Sequence, residues 1–223
     1  ISISIDGADA ETHDSLRASK GAFDTALRAL RLSKEVGLGV QVNVTVTRLN
    51  VAQLPSIHEL ALQYGAKALD FFFLVPTGRG AALKELELDG EAYERTLNWI
   101  YELSLASPMA VKTTCAPHYA RVQRQRAGEA FNKLPERLRA RGCMAGKGFL
   151  FISHDGNIQP CGFLNLPCGN LREASFDLEG LCKNSTILQR LRSAKGYSGS
   201  CGACAFAESC GGCRARAFEA TGD

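Results

Sequence analysis

The chain opens on strict alternation. Ile1, Ile3 and Ile5 are apolar, Ser2, Ser4 and Asp6 are polar, and the period of two stops at Gly7. The same period returns over residues 40–47, where Val40, Val42, Val44 and Val46 alternate with Gln41, Asn43, Thr45 and Thr47. Both runs predict strands. Between them Phe23, Ala26, Leu27, Leu30 and Val36 recur at helical spacing over 22–36, and Gly37 and Gly39 end that helix. Leu54, Ile57, Leu60 and Ala61 predict a second helix over 52–64, closed by Gly65. Leu69 to Val75 is nearly all apolar and runs into Pro76-Thr77-Gly78-Arg79-Gly80, a third strand and its turn; a helix over about 90–105 follows. An order β-α-β-α-β-α with helix-length connections predicts a parallel sheet with right-handed crossovers.

Strands of parallel sheets are usually buried on both faces and apolar throughout. Here two strands are apolar on one face only. Crossover helices would cover that face, and the polar faces would point together into the concave side of a curved sheet. A polar lumen in a (β/α) barrel is a ligand cavity. An antiparallel sheet with one wet face is the alternative, and the helix-length connections weigh against it. Ligands of such folds bind at the C-terminal ends of the strands. Those ends carry Ser4, Asp6 and Gly7, then Asn43, Thr45 and Thr47, then Leu74 to Arg79. Arg17, just past the first strand, is placed to clamp a carboxylate or phosphate, or else is a surface arginine near a helix start. His13 and His118 are read as structural, and no catalytic residue is assigned.

Composition narrows the class. A 223-residue chain with 45% hydrophobic and 22% charged residues suits one large domain or two small ones. The formal charge is only +3, and the basic runs 121–126 and 137–141 read as solvated helix faces, so nucleic acid is not an expected partner. No apolar stretch approaches the roughly 20 residues of a membrane span. The chain starts inside a strand with no initiator Met and ends at Thr221-Gly222-Asp223 after a helical run, as expected of a piece cut within a folded unit. Nine cysteines in close pairs favour a metal over disulfides, which places the protein in a reducing compartment, the cytoplasm.

The second half holds those cysteines. Residues 148–161 read as a hairpin, with 148–153 as one strand, His154-Asp155-Gly156 as the turn and Asn157 to Cys161 beginning the next. Such a hairpin draws Cys143 and Cys161 to one end. The tail CGACAFAESCGGC sets Cys201, Cys204, Cys210 and Cys213 as two CxxC pairs. On spacing alone they form one compact four-thiolate site. Zinc ribbons separate their pairs by roughly 15–20 residues, whereas only Ala205 to Ser209 intervene here. Iron–sulfur and zinc both stay open on this spacing. Cys115 is a candidate further ligand; Cys168 and Cys182 read as small buried residues.

The segments ISISIDG, HDSLR, VQVNVTVTRLN and FFFLVPTGRG resemble the later strands of a radical S-adenosylmethionine (radical SAM) enzyme. Cys143-x12-Gly156-x4-Cys161 followed by Cys201-x2-Cys204-x5-Cys210 resembles the SPASM extension, and KTTCAPHYARV, GFLFISHDGNIQPCGFL, GNLRE and CGGCRARAF are similar to the branch of haem-maturation enzymes. The resemblance implies an α/β fold: part of a (β/α) barrel over residues 1–110, with a parallel sheet, then a cysteine-rich SPASM domain with a β-hairpin over 111–223. It implies auxiliary [4Fe–4S] clusters and S-adenosylmethionine as cofactors. Cys143, Cys161 and Cys213, with Cys115 as possible fourth ligand, would hold one cluster; Cys201, Cys204 and Cys210 would hold the other, completed by a cysteine beyond the tail. Ser4 and Asp6 would lie near the ribose or methionine of the cofactor, Arg17 near its carboxylate, Asn43 and Thr45 along its cavity, and Leu74 and Val75 near adenine. The implied activity is that of an oxidoreductase or maturase, with a tetrapyrrole, peptide or small metabolite as substrate and a ferredoxin or flavodoxin as electron donor. A zinc-stabilised binding module is the competing class. Two departures stand out: these residues contain no CxxxCxxC, so the chain alone is expected to be inactive, and CGGC is one residue tighter than the common Cys-x3-Cys.

Overall fold

A computed structural model describes residues 1–135 and 138–222; Arg137 of the second basic run and the terminal Asp223 lie outside the described residues. Two compact units emerge, one made of 1–74 with 83–115, the other of 75–82 with the chain from Ala116 onward.

The first unit is a four-stranded sheet. Its elements run β1 (Ser2–Ser4), α1 (Ala10–Arg17), α2 (Ala22–Glu35), β2 (Gln41–Val46), α3 (Leu54–Gln63), β3 (Ala68–Phe73), α4 (Gly90–Ala106) and β4 (Ala110–Thr114). The strands stand in the order β1-β2-β3-β4 and every neighbouring pair is parallel. Paired residues in such a ladder point to the same face. One face stacks Val42, Val44 and Val46 beside Leu69, Phe71 and Phe73, all 2% exposed or less. Burying each such side chain contributes roughly 1.5–3 kcal/mol. Phe71 meets Trp99 of α4 edge-on at 5.6 Å, and Phe73 meets Tyr93 at 4.5 Å.

Two elements differ from the sequence reading. α1 forms between the first strand and the first expected helix: the Asp9 carboxylate caps the Thr12 N–H at 2.8 Å, Glu11 lies in the first turn, and Arg17 lies in the last turn rather than near a start. β4 is a strand that periodicity does not announce, because Lys112, Thr113 and Thr114 are polar on both faces. It carries the first unit to Cys115, past the boundary expected at 110.

The second unit has little regular structure. β5 (Phe151–Ile152) and β6 (Ile158–Gln159) form an antiparallel hairpin much shorter than its sequence run. α5 (His118–Ala127), α6 (Leu178–Asn184), α7 (Thr186–Leu191), α8 (Gly199–Gly202) and α9 (Arg214–Thr221) complete it. Ile158, Cys168 and Leu188 form a small core, with Cys182 packed against it, so these two cysteines are packing residues. Within the run 137–141, Arg139 lies outside any helix of the unit and binds the carbonyls of Leu134 and Asn132 at 2.8 and 2.7 Å.

Candidate functional site: a polar strand rim and two groups of thiols

Asp6 organises the rim of the first unit. It is 2% exposed. Its Oδ1 accepts the Thr45 N–H at 2.7 Å, its Oδ2 pairs with Arg17 Nε at 2.6 Å, and its own N–H donates to His13 Nδ1 at 2.9 Å. That last bond leaves the His13 proton on Nε2, and burial holds the imidazole below the usual histidine range. Asn50 closes the arrangement: its amide donates to the carbonyls of Asp6 and Thr45, both at 2.8 Å, and its oxygen accepts from Thr47. Gly7 is required here, since a Cβ would stand 2.6 Å from the His13 nitrogen.

The polar face of the sheet continues this rim. Register places Ser4, Asn43, Asp70 and Lys112 in one row across all four strands. Gln41 links Asn43 at 2.8 Å to Lys112 at 3.0 Å. Both oxygens of Asp70 accept from the Thr114 hydroxyl, at 3.0 and 3.1 Å. Burial raises the Asp70 carboxyl above its ordinary range, with Thr114 and Lys112 partly offsetting it. Sequence reasoning missed Asp70, which hides in an apolar run, and missed Thr114 and Lys112 with their strand. The signal available was a lone acid inside LDFFF. Ser4, Asn43 and Thr45 are half-buried on this face, whereas both carboxylate oxygens of Asp6 and the Nε of Arg17 are committed to each other and to Thr45. Leu74 and Val75, just past β3, are 8% and 5% exposed. Cys115 ends the first unit with a left-handed backbone at φ 59°.

In the second unit, backbone bonds draw distant cysteines together. Gly146 N–H donates to the Pro160 carbonyl at 3.0 Å, which brings the segment after Cys143 beside Cys161. Cys143 N–H donates to the Cys210 carbonyl at 2.9 Å. Gly142 permits that approach, because a Cβ there would lie 2.5 Å from the Cys210 oxygen. The turn between the hairpin strands is fixed by Asp155, which accepts from Ser153 and Asn157, and by Asn170, whose amide reaches the Asp155 carbonyl at 3.2 Å. Gly156 adopts φ 93° beneath Asn170, which explains a glycine at that position of the motif.

Electrostatics sorts the thiols into two groups. Burial pushes the Cys161 thiol up, and Cys143 and Cys213 push it further, while the Phe163 and Leu164 N–H groups draw it back. Burial likewise raises Cys213, whose other influences are Arg216, the first amides of α9 and Cys143. Cys210 is raised by burial and then by Cys201 and Cys204, with the Gly212 N–H opposing. Several donors aim at sulfur: Phe206 N–H at Cys204, Gly212 N–H at Cys210 and Arg214 Nη2 at Cys201, each at 3.4 Å. Among the described residues no three His, Cys, Asp or Glu side chains converge as on a single ion. A cluster binds each thiolate through a different iron, so its ligands need not converge. Thiols in two sets with N–H donors on sulfur fit the chemistry of iron–sulfur ligation. Buried thiols of raised pKa would give up protons on binding metal.

Residues 143–213 match the SPASM family, an iron–sulfur cluster-binding domain. The whole chain is 43% identical to AdoMet-dependent heme synthase of Nitratidesulfovibrio vulgaris, covering 61% of it. It is 32% identical, over 98% of the chain and 53% of the relative, to the mycofactocin maturase MftC of Mycobacterium tuberculosis. The chain thus spans little more than half the length of these curated relatives. In fold it is similar to Streptococcus suis SuiB bound to S-adenosylmethionine, with a TM-score of 0.72 at 16% identity over 98% of this chain and 50% of that one. SuiB bound to its precursor peptide SuiA gives 0.70 at 15% identity, again over 98% and 50%. The parallel sheet, the cysteine module and these likenesses agree: residues 143–213 form a SPASM iron–sulfur cluster-binding domain, and the chain as a whole is similar to radical SAM/SPASM enzymes.

Proposed function

We propose that this chain works within a radical S-adenosylmethionine oxidoreductase or maturase, its SPASM module holding auxiliary [4Fe–4S] clusters and its sheet lining the cofactor cavity. The observation that supports this best is the match of residues 143–213 to an iron–sulfur cluster-binding domain; Cys143, Cys161 and Cys213 would hold one cluster and Cys201, Cys204 and Cys210 the other. Cys115 is carried over from the family resemblance as a further ligand of the first set. Reductively cleaved S-adenosylmethionine supplies a 5′-deoxyadenosyl radical for hydrogen abstraction. The chain's own residues position and shield. Asp6 holds Arg17 by its Nε, so the half-exposed guanidinium is steered for the cofactor carboxylate. Ser4, Asn43 and Thr45 offer hydrogen bonds along the polar row, and the buried Leu74 and Val75 offer apolar surface for adenine.

The heme-synthase relative supports a tetrapyrrole substrate before a peptide or a small metabolite. A ferredoxin or flavodoxin is the electron donor we propose, and the cytoplasm the compartment. Among the described residues no helix is long and apolar enough to cross a membrane. Anaerobic reconstitution of the full-length protein tests the reading. Iron and sulfide in excess of one cluster, with broad absorbance in the visible, are expected. A colourless protein that takes up zinc alone would instead identify a zinc-stabilised module.

A further inference from the structure

The CGGC turn sets a cation against a thiol. Arg214 Nη2 donates to Cys201 Sγ at 3.4 Å, and the guanidinium carbon lies over the Tyr197 ring, 4.3 Å from its centroid. Arg214 Nε is buried with no hydrogen-bond acceptor, as is the Tyr197 hydroxyl. An unpaired buried donor costs about 1–3 kcal/mol, so packing alone does not explain why an arginine is held in this pose. Gly212 makes the approach possible. Its φ is 57°, and a Cβ there would stand 2.8 Å from Arg214 Nη2 and 3.1 Å from Cys201 Sγ. A second cation, Lys147, sits 5.9 Å from the same ring.

We infer that Arg214, seated on Tyr197 and admitted by Gly212, sets the reduction potential of the iron–sulfur cluster that Cys201 helps to hold. The inference rests on the cluster reading above. A [4Fe–4S] cluster gains one negative charge when it accepts one electron from its donor. A cation and an N–H at its sulfur stabilise that added charge and raise the potential. Tyr197 seats the guanidinium by a cation–π contact. Arg214 is therefore a positioning charge, not a ligand. The tighter CGGC spacing gains a reason as well, since the glycine before Cys213 leaves the gap through which Arg214 reaches Cys201.

The test is a dithionite titration of the anaerobically reconstituted full-length protein, with clusters followed by electron paramagnetic resonance. In Arg214→Gln, iron content should hold, and one cluster step alone should need a more negative potential. At fixed potential about tenfold less of that cluster should be reduced, which for one electron is about 59 mV. Arg214→Lys should recover part of the shift, and Tyr197→Leu should show a smaller shift in the same step. Unchanged potentials at full iron content would overturn the inference. So would loss of iron in both the Gln and Lys variants, because Arg214 would then be structural. A wild-type protein that binds no iron would defeat the cluster reading instead, before any variant is compared.

Discussion

The two units are stabilised by different means. In the first, helices of up to 17 residues flank a continuous ladder whose central strands bury one face completely. In the second, the hairpin strands have two residues each and α6, α7 and α8 have seven, six and four. One small core there gathers around Ile158, Cys168 and Leu188. Isolated helices of that length do not persist in water. Loops of this kind need staples, and thiolate–metal bonds are the available ones. The contrast shows why a single chain mixes readable periodicity with readable cysteine spacing: the sheet displays the burial that holds it, and the second unit displays the thiols that a metal would use.

The strongest way to break that contrast is to remove the metal. Iron chelation of the reconstituted protein should abolish amide-exchange protection across residues 143–213 while β2 and β3 keep theirs. Equal loss in both units would show that the sheet also depends on the cluster. Protection that survives in 143–213 would show that the small core suffices alone.

Asp6 sharpens the other side of the comparison. Asp6→Ala would leave the Thr45 N–H without its acceptor and Arg17 without its pair. Removing one member of a buried pair costs roughly 3–5 kcal/mol, and Arg17 is 38% exposed, so about 2 kcal/mol is the expected loss in chemical denaturation of the first unit. Asp6→Asn keeps an acceptor for Thr45 and should lose about 1 kcal/mol. An Asp6→Ala protein as stable as wild type would mean that Asn50 and His13 alone secure the rim.

What the sequence discloses follows the same division. β1 and β2 are legible because burial on one face prints a period of two, and α2, α3 and α4 because their core stripes print a helical one. β4 is not, since its residues never alternate and its strand exists only by pairing with Ala68–Phe72 of β3. Asp70 is hidden for the converse reason: its partner Thr114 arrives 44 positions later, on that unannounced strand. The cysteine motif is legible as spacing, yet which thiols influence one another depends on the fold. Cys213 caps α9 and feels Cys143, while Cys210 feels Cys201 and Cys204. Arg214 against Cys201 is visible only in three dimensions.

The smallest effect concerns how the first unit joins its two opening helices. Asp14 of α1 accepts the Gly21 N–H at 2.6 Å and the Phe23 N–H at 2.8 Å, and so caps α2 across a loop. Those bonds, Phe23 first, hold its carboxyl below the ordinary value of 3.8. A carboxylate depressed on folding stabilises the folded state fully above its unfolded pKa, and that contribution is lost as pH falls through the folded pKa. Asp14→Asn should therefore exchange the Gly21 and Phe23 amides faster than wild type at neutral pH. The difference should be full above the ordinary value of 3.8 and be lost as the pH falls through the lower folded pKa, where wild-type Asp14 takes up its proton. A gap that closes well above 3.8 would show that the cap does not depress the Asp14 carboxyl. Amides of the β2–β3 ladder that donate to backbone carbonyls, which do not titrate, serve as the internal reference.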